Sequence, residues 1–238
     1  MKKINIKDLV LFENEDYLII NKPYDIATVE ERDITRPNMI KMAKDVYGDV
    51  QACHRLDKET SGILALAKNP EAYRHLSLQF QNRKVKKTYH AVVQGLHEFE
   101  DQLVAAPIAV SGRANVRIDF KEGKESVTVF NTLKLYKFHS LIECQPFTGR
   151  MHQIRIHLAS SGAPIVADEM YGGKPVFLSQ IKRKFNLKKE EVERPLINRV
   201  ALHAYGIQFS LLDGSVKNFE TPYPKDIRAL INQLEKNC

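Results

Sequence analysis

Hydrophobic and polar positions change their period several times along the chain, and each change marks an element. Residues 16–21 (DYLIIN) form a short apolar run that stops at Lys22-Pro23, the pattern of a buried strand ending in a turn. Residues 32–50 are polar and irregular, with a short helix expected around 39–46. Residues 62–68 (GILALAK) read as a compact apolar strand. Asn69-Pro70-Glu71 then has the form of a helix start: Asn at the cap, Pro at the first position, an acid in the first turn. The spacing predicts a helix to about residue 82 that buries Tyr73, Leu76 and Phe80.

Further on, residues 88–94 (TYHAVVQ) form a strand closed by Gly95. Residues 103–147 alternate apolar and polar positions and are rich in β-branched side chains, so RIDF, ESVTVFNTLKLY and HSLIECQPF read as strands. Residues 148–162 predict a short helix with Thr148 as its cap and Gly162 as its stop. Two more strands are expected at 200–210 and 216–220, and a closing helix at 226–236. Strands outnumber helices and do not alternate with them regularly, which predicts an α+β fold on a largely antiparallel sheet rather than a doubly wound one.

With 238 residues the chain suits one large domain or two small ones, and it shows neither an internal repeat nor a Pro/Gly/Ser-rich linker. Its 43% hydrophobic and 27% charged residues exclude disorder and low complexity for most of its length. A formal net charge of +7 favours a polyanionic partner, nucleic acid first. The 3 cysteines, with no CxxC, speak against a disulfide scaffold or structural zinc and fit a reducing compartment. Lys7, Asp8, Glu13 and Glu15 interrupt any signal-peptide core, and no apolar stretch has the length of a membrane span, so a soluble cytoplasmic protein is expected.

Chemistry-bearing side chains gather in a few segments. His54-Arg55-Leu56-Asp57 places an imidazole, a guanidinium and a carboxylate just ahead of an apolar strand. That suits either a carboxylate aimed at a ligand or surface ion pairs beside a Thr-Ser-Gly turn. In residues 148–157 (TGRMHQIRIH), His152 and Arg155 stand three apart, on one face if helical, and helix N-terminal amides favour an anion nearby. A solvated basic helix fits that segment equally. Its two histidines lack the spacing of a helical zinc pair, so no metal is expected. Residues 83–89 (RKVKKTY) are either a solvated face or a phosphate-tracking edge, with Lys86 and Lys87 on phosphates and a ring for stacking. The basic run Lys182 to Lys189 reads as a solvated helix or loop, with RNA contact as the second reading.

In this order the clusters resemble the pseudouridine synthases of the RluA type. Residues 12–29 (FENEDYLIINKPYDIATV) are similar to the family's first motif with its Asn-Lys-Pro, and residues 54–68 (HRLDKETSGILALAK) to its catalytic motif. Residues 80–95, 148–173 and 199–209 are similar to the three motifs that follow. Met151 departs from the pattern, standing where Thr is commoner. The resemblance implies a single catalytic domain over 1–238, without the S4 RNA-binding module that family members often carry. It also implies the family's fold: a largely antiparallel mixed central sheet flanked by helices, with an RNA-binding cleft.

The reaction implied is isomerisation of uridine in RNA to pseudouridine, without cofactor or metal. The N1–C1′ bond breaks, the base turns, and C5 bonds to C1′. By match to the motifs, Asp57 is the essential carboxylate, Tyr89 the active-site ring and Arg155 the basic partner. A carboxylate can capture positive character at C1′ or remove the 2′ proton to give a glycal, and both routes stay open. A charge-assisted bond from Arg155 would keep Asp57 ionised and aimed. Arg55 is expected to hold the flipped-out nucleotide's place or a phosphate, and Lys22 to support the site wall. Together with His54, Lys86, Lys87, Arg150 and His152 they form the expected RNA-binding set. The base must leave its stack, so a stem-loop of tRNA or rRNA is the expected partner, bound by a monomer. A non-catalytic basic RNA-binding protein on the same scaffold is the alternative. A small-molecule nucleotide enzyme ranks last, because the chain has no Gly-rich phosphate loop.

Overall fold

The computed structural model describes residues 4–30, 37–112, 115–186 and 192–238. Its elements begin with β1 (Val10–Glu13), β2 (Tyr17–Lys22), α1 (Met39–Tyr47), β3 (Gln51–Ala52), β4 (Ser61–Ala67) and α2 (Pro70–Gln81). Six strands follow: β5 (Lys86–Gln94), β6 (Gln102–Ala105), β7 (Ile108–Ser111), β8 (Asn115–Ile118), β9 (Val127–Leu135) and β10 (His139–Pro146). The chain closes with α3 (Gln153–Ser160), α4 (Leu178–Ile181), β11 (Leu202–Ser210), β12 (Val216–Glu220) and α5 (Lys225–Lys236). The fold is α+β, with a largely antiparallel mixed central sheet flanked by helices. The described residues up to 87, with 204–222, form one compact unit; residues 88–203 with 223–238 form the other.

In the first unit β2 lies antiparallel to β4, from Tyr17 opposite Ala67 to Lys22 opposite Gly62. Side chains alternate across a strand, and both faces here are covered. Tyr17, Ile19, Ile63 and Ala65 join Ala72 and Leu76 of α2 in one core cluster. Leu18, Ile20, Leu64 and Leu66 join Met39 and Ala43 of α1 in another. This double burial is why both segments read as continuous apolar runs rather than alternating ones.

Helix α2 starts as expected: Pro70 is its first residue and the Asn69 side chain accepts the Ala72 amide at 2.8 Å. Its buried face is turned from the one predicted. Ala72, Leu76 and Gln79 are buried, Phe80 is partly so, and Tyr73 is exposed. The cause is Gln79, whose carboxamide accepts the Ser210 amide at 2.9 Å and donates to the Ser210 carbonyl at 2.8 Å. Hydrogen-bonded in this way, a polar side chain takes a core position that periodicity assigns to an apolar one.

In the second unit β10 lies between β5 and β9, antiparallel to both, and β6 pairs with β9. β7 and β8 form a separate hairpin. The large core cluster gathers Val92, Phe130, Ile142, Ile154 and Leu158 with Leu230 and Leu234 of α5. Thr148 does not cap a helix: α3 begins at Gln153, after a turn in which His152 adopts a left-handed conformation with φ 53°. Its end is as expected, Gly162 following with φ 76°.

Candidate active site

Asp57 sits in the loop between β3 and β4, half-buried, with its backbone tied down on several sides. The Thr28 hydroxyl donates to the Leu56 carbonyl at 2.9 Å and accepts the Leu56 amide at 3.1 Å. The Thr60 amide donates to the Asp57 carbonyl at 3.0 Å, and the Asp25 amide to the Lys58 carbonyl at 2.8 Å. Lys22 completes the frame. Its ammonium donates to the carbonyls of Pro23 at 3.0 Å, Ile26 at 2.8 Å and Lys58 at 3.3 Å. Downstream, Gly62 has φ 119°, and a Cβ there would collide with the Ala204 carbonyl oxygen, so only glycine fits where the loop enters β4.

Two expected RNA contacts in this unit are corrected. Lys22 is wholly buried, its charge spent on carbonyls, so it holds the wall behind Asp57 and offers no surface to phosphate. His54 stacks on Phe80 at 4.8 Å between ring centroids, and its Nε2 accepts the Ala65 amide at 3.0 Å. Burial, then the nearby Lys87 charge, pushes its pKa down to about 3, so the ring is neutral and anchors the loop to β4. Arg55 and Lys86 are exposed, whereas Lys87 is half-buried and burial lowers its pKa to about 8.

In the second unit Tyr89 lies on β5 opposite Cys144 of β10, partly buried against the large core cluster. Arg155, in the first turn of α3, is buried against an acid that sequence reasoning missed. Its Nε and Nη2 donate to the two carboxylate oxygens of Asp168, each at 2.7 Å. The guanidinium carbon lies 5.1 Å from the centre of the Tyr171 ring. His152 precedes the helix and therefore does not share a helical face with Arg155; its Nδ1 lies 2.9 Å from the Tyr171 hydroxyl. Arg150 is exposed, and its Nε donates to the Glu125 carbonyl at 3.1 Å.

Gln153 fixes the start of α3. Its amide oxygen accepts the Thr148 hydroxyl at 2.7 Å and the Arg150 amide at 3.0 Å. Its amide nitrogen donates to the Val127 carbonyl and the Thr128 hydroxyl, each at 3.0 Å. The Thr128 hydroxyl also lies 2.9 Å from His157 Nδ1, and His157 Nε2 lies 2.9 Å from the Ala106 carbonyl oxygen. Burial lowers the pKa of His157, against the Ala106 carbonyl, which raises it.

Sequence left three supports unread: Thr28, Gln153 and the Asp168–Tyr171 pair. Each lies inside a segment already singled out, at 12–29 or 148–173, but a side chain that bonds a distant carbonyl or guanidinium carries no local period. Among the described residues no group of His, Cys, Asp and Glu is arranged to hold a metal ion, and no helix is long and apolar enough to cross a membrane. Of the basic run, Lys182, Arg183 and Lys184 are exposed, while Lys188 and Lys189 lie outside the described residues.

Residues 16–160 match the RNA pseudouridylate synthase family, a stretch that holds Asp57, Tyr89 and Arg155. The chain is 32% identical over 236 residues to ribosomal large subunit pseudouridine synthase C of Escherichia coli K12, covering 96% of this chain and 70% of that protein. It is 37% identical over 212 residues to the protein of the same name from Buchnera aphidicola, covering 87% of this chain but 64% of that protein, less than two thirds of its length. Among solved structures, human RNA pseudouridylate synthase domain containing 1 superposes with a TM-score of 0.68 at 26% identity, over 94% of this chain and 87% of that one. Human RNA pseudouridylate synthase domain containing 4 gives 0.72 at 22% identity, over 97% and 94%, and supports the fold. The chain belongs to the RNA pseudouridylate synthase family.

Proposed function

We propose that this chain is an RluA-type RNA pseudouridine synthase, acting without a cofactor on a uridine in a structured loop of rRNA or tRNA. The observation that carries the proposal is the family match over residues 16–160, with Asp57, Tyr89 and Arg155 each in its motif. Asp57 is the essential carboxylate. It either adds to C1′ as the N1–C1′ bond breaks or takes the 2′ proton. Uracil leaves as its own anion and turns within the pocket; its C5 then bonds to C1′, displacing the Asp57 carboxylate from the covalent adduct or, on the glycal route, adding to C1′ as Asp57 returns the proton to C2′. The C5 proton then departs and N1 is protonated, so the product is an isomer of the substrate. Tyr89 stacks on the base and helps remove the C5 proton, and Arg155 is the basic partner.

Ordinary glycoside hydrolysis would need two carboxylates flanking the bond, one of them an acid for the leaving group. Uracil leaves as a stabilised anion and is retained, so one carboxylate suffices. The proposal is tested by incubating rRNA and tRNA transcripts with the protein, digesting to nucleosides and separating them by chromatography. Pseudouridine should appear with the wild-type chain and be absent with Asp57→Asn. RNA binding with no pseudouridine from any transcript or from total cellular RNA would favour the non-catalytic RNA-binding reading.

A further inference from the structure

The mechanism above uses Arg155 but not the acid beside it. Asp168 is 1% exposed and Arg155 4%, so this ion pair is closed to water. Both carboxylate oxygens face one edge of the guanidinium, at Nε and Nη2, and the guanidinium carbon lies over the Tyr171 ring. The loop that carries them is itself set. The Asp168 carbonyl accepts the Tyr171 amide at 3.0 Å and the Gly173 amide at 2.8 Å. Gly172 turns the chain with φ 86°, and a Cβ on Gly173 would run into the Ile165 carbonyl oxygen.

A buried ion pair adds little net stability compared with apolar groups of the same shape, because both charges lose their water. What a bidentate carboxylate does supply is direction. It fixes the plane of a long side chain that otherwise samples many rotamers. We propose that Asp168, assisted by Tyr171, is the positioning residue of this enzyme: it holds the Arg155 guanidinium in its working orientation before RNA arrives. The inference rests on the reading of Arg155 as a catalytic residue. Asp168 lies within the segment 148–173 that resembles a family motif but past residue 160, where the family match ends, and its role is argued from the geometry.

The experiment is a double-mutant cycle read by single-turnover pseudouridine formation on a responsive rRNA transcript. Asp168→Asn keeps the shape and removes the charge. In the Arg155 background it should lower the maximal rate about a hundredfold, the cost of a slightly misplaced group, and leave RNA affinity within about threefold. In an Arg155→Ala background the same substitution should cost less than about threefold, since nothing remains to be positioned. Near-ultraviolet circular dichroism and melting temperature report folding. Should Asp168→Asn not fold, Tyr171→Leu serves in its place, with a loss of about fivefold that again vanishes without Arg155. The proposal is overturned if the folded variant turns over normally, if it loses RNA affinity instead of rate, or if the loss is the same in both backgrounds. Asp57→Asn run alongside separates the two claims. No pseudouridine from the wild-type chain on any transcript removes the functional reading itself, activity in Asp57→Asn removes only the role of Asp57, and an inactive Asp57→Asn beside an additive cycle removes only Asp168.

Discussion

The loop that carries Asp57 and the first turn of α3 fix their key side chains by opposite means. Around Asp57 the supports grip backbone: Thr28 on Leu56, Asp25 and Lys22 on Lys58, Thr60 on Asp57 itself. Around Arg155 they grip the side chain, with Asp168 on the edge of the guanidinium and the Tyr171 ring beneath its carbon. The difference follows from the residues. An aspartate has two torsions beyond its backbone, so placing the Cα nearly places the carboxylate. Arginine has about 2 kcal/mol of rotamer entropy, and a rigid helix beneath it does not fix its far end. A short side chain is aimed by its loop and a long one by its neighbours.

The sharpest way to break this comparison is at Lys22. Lys22→Met keeps the stem and deletes the ammonium, leaving the carbonyls of Pro23, Ile26 and Lys58 without that donor in the interior. Unfolding in urea should show a loss of about 3–5 kcal/mol, while the salt dependence of RNA binding stays unchanged. A weakened salt dependence with stability intact would return Lys22 to the RNA-contact set. On the other side, Gly173→Ala forces a Cβ against backbone at the Asp168 loop and should cost about 1–3 kcal/mol by the same measurement. Its rate of pseudouridine formation should fall as well, because the loop that aims Arg155 is displaced.

The smallest effect concerns pH. Folded His54 titrates near 3 and an unperturbed histidine at 6.5, so between these values the unfolded chain binds a proton that the folded chain refuses. Its contribution to stability is whole above 6.5 and is lost as pH falls toward 3. His139 and His157, also lowered by burial, act in the same direction. Urea midpoints should drop from about pH 7 to about pH 4, and His54→Gln should flatten that slope. An unchanged slope would mean that His54 does not anchor the loop as a neutral ring.

Much of the scaffold was legible in the sequence because its signals are local. Asn69-Pro70 starts α2 where expected, and 16–21 and 62–68 overlap the paired strands β2 and β4 to within one residue at each end. What was illegible depended on partners far along the chain. Tyr73 lost its core place to Gln79 because Ser210 offers a backbone to bond. Thr148 looked like a cap, but its hydroxyl is committed to Gln153 and to the Val127 amide. Lys22 and His54 were placed in the RNA-binding set because charge and ring nitrogen are visible in sequence, whereas burial is not; the expected support of the site wall by Lys22 agrees with its bonds to the carbonyls of Pro23, Ile26 and Lys58. Asp168 was passed over for the converse reason: an acid in a basic cluster draws no notice until the guanidinium it holds is seen.

The most direct test of the central claim is tritium release from RNA labelled at uridine C5, measured in single turnover with excess protein. The wild-type chain should liberate tritium into water in proportion to the pseudouridine formed. Asp57→Asn should bind the same RNA with similar affinity and release tritium at least about ten-thousandfold more slowly, as when an essential nucleophile is removed. Release at the wild-type rate from the folded variant would contradict the account.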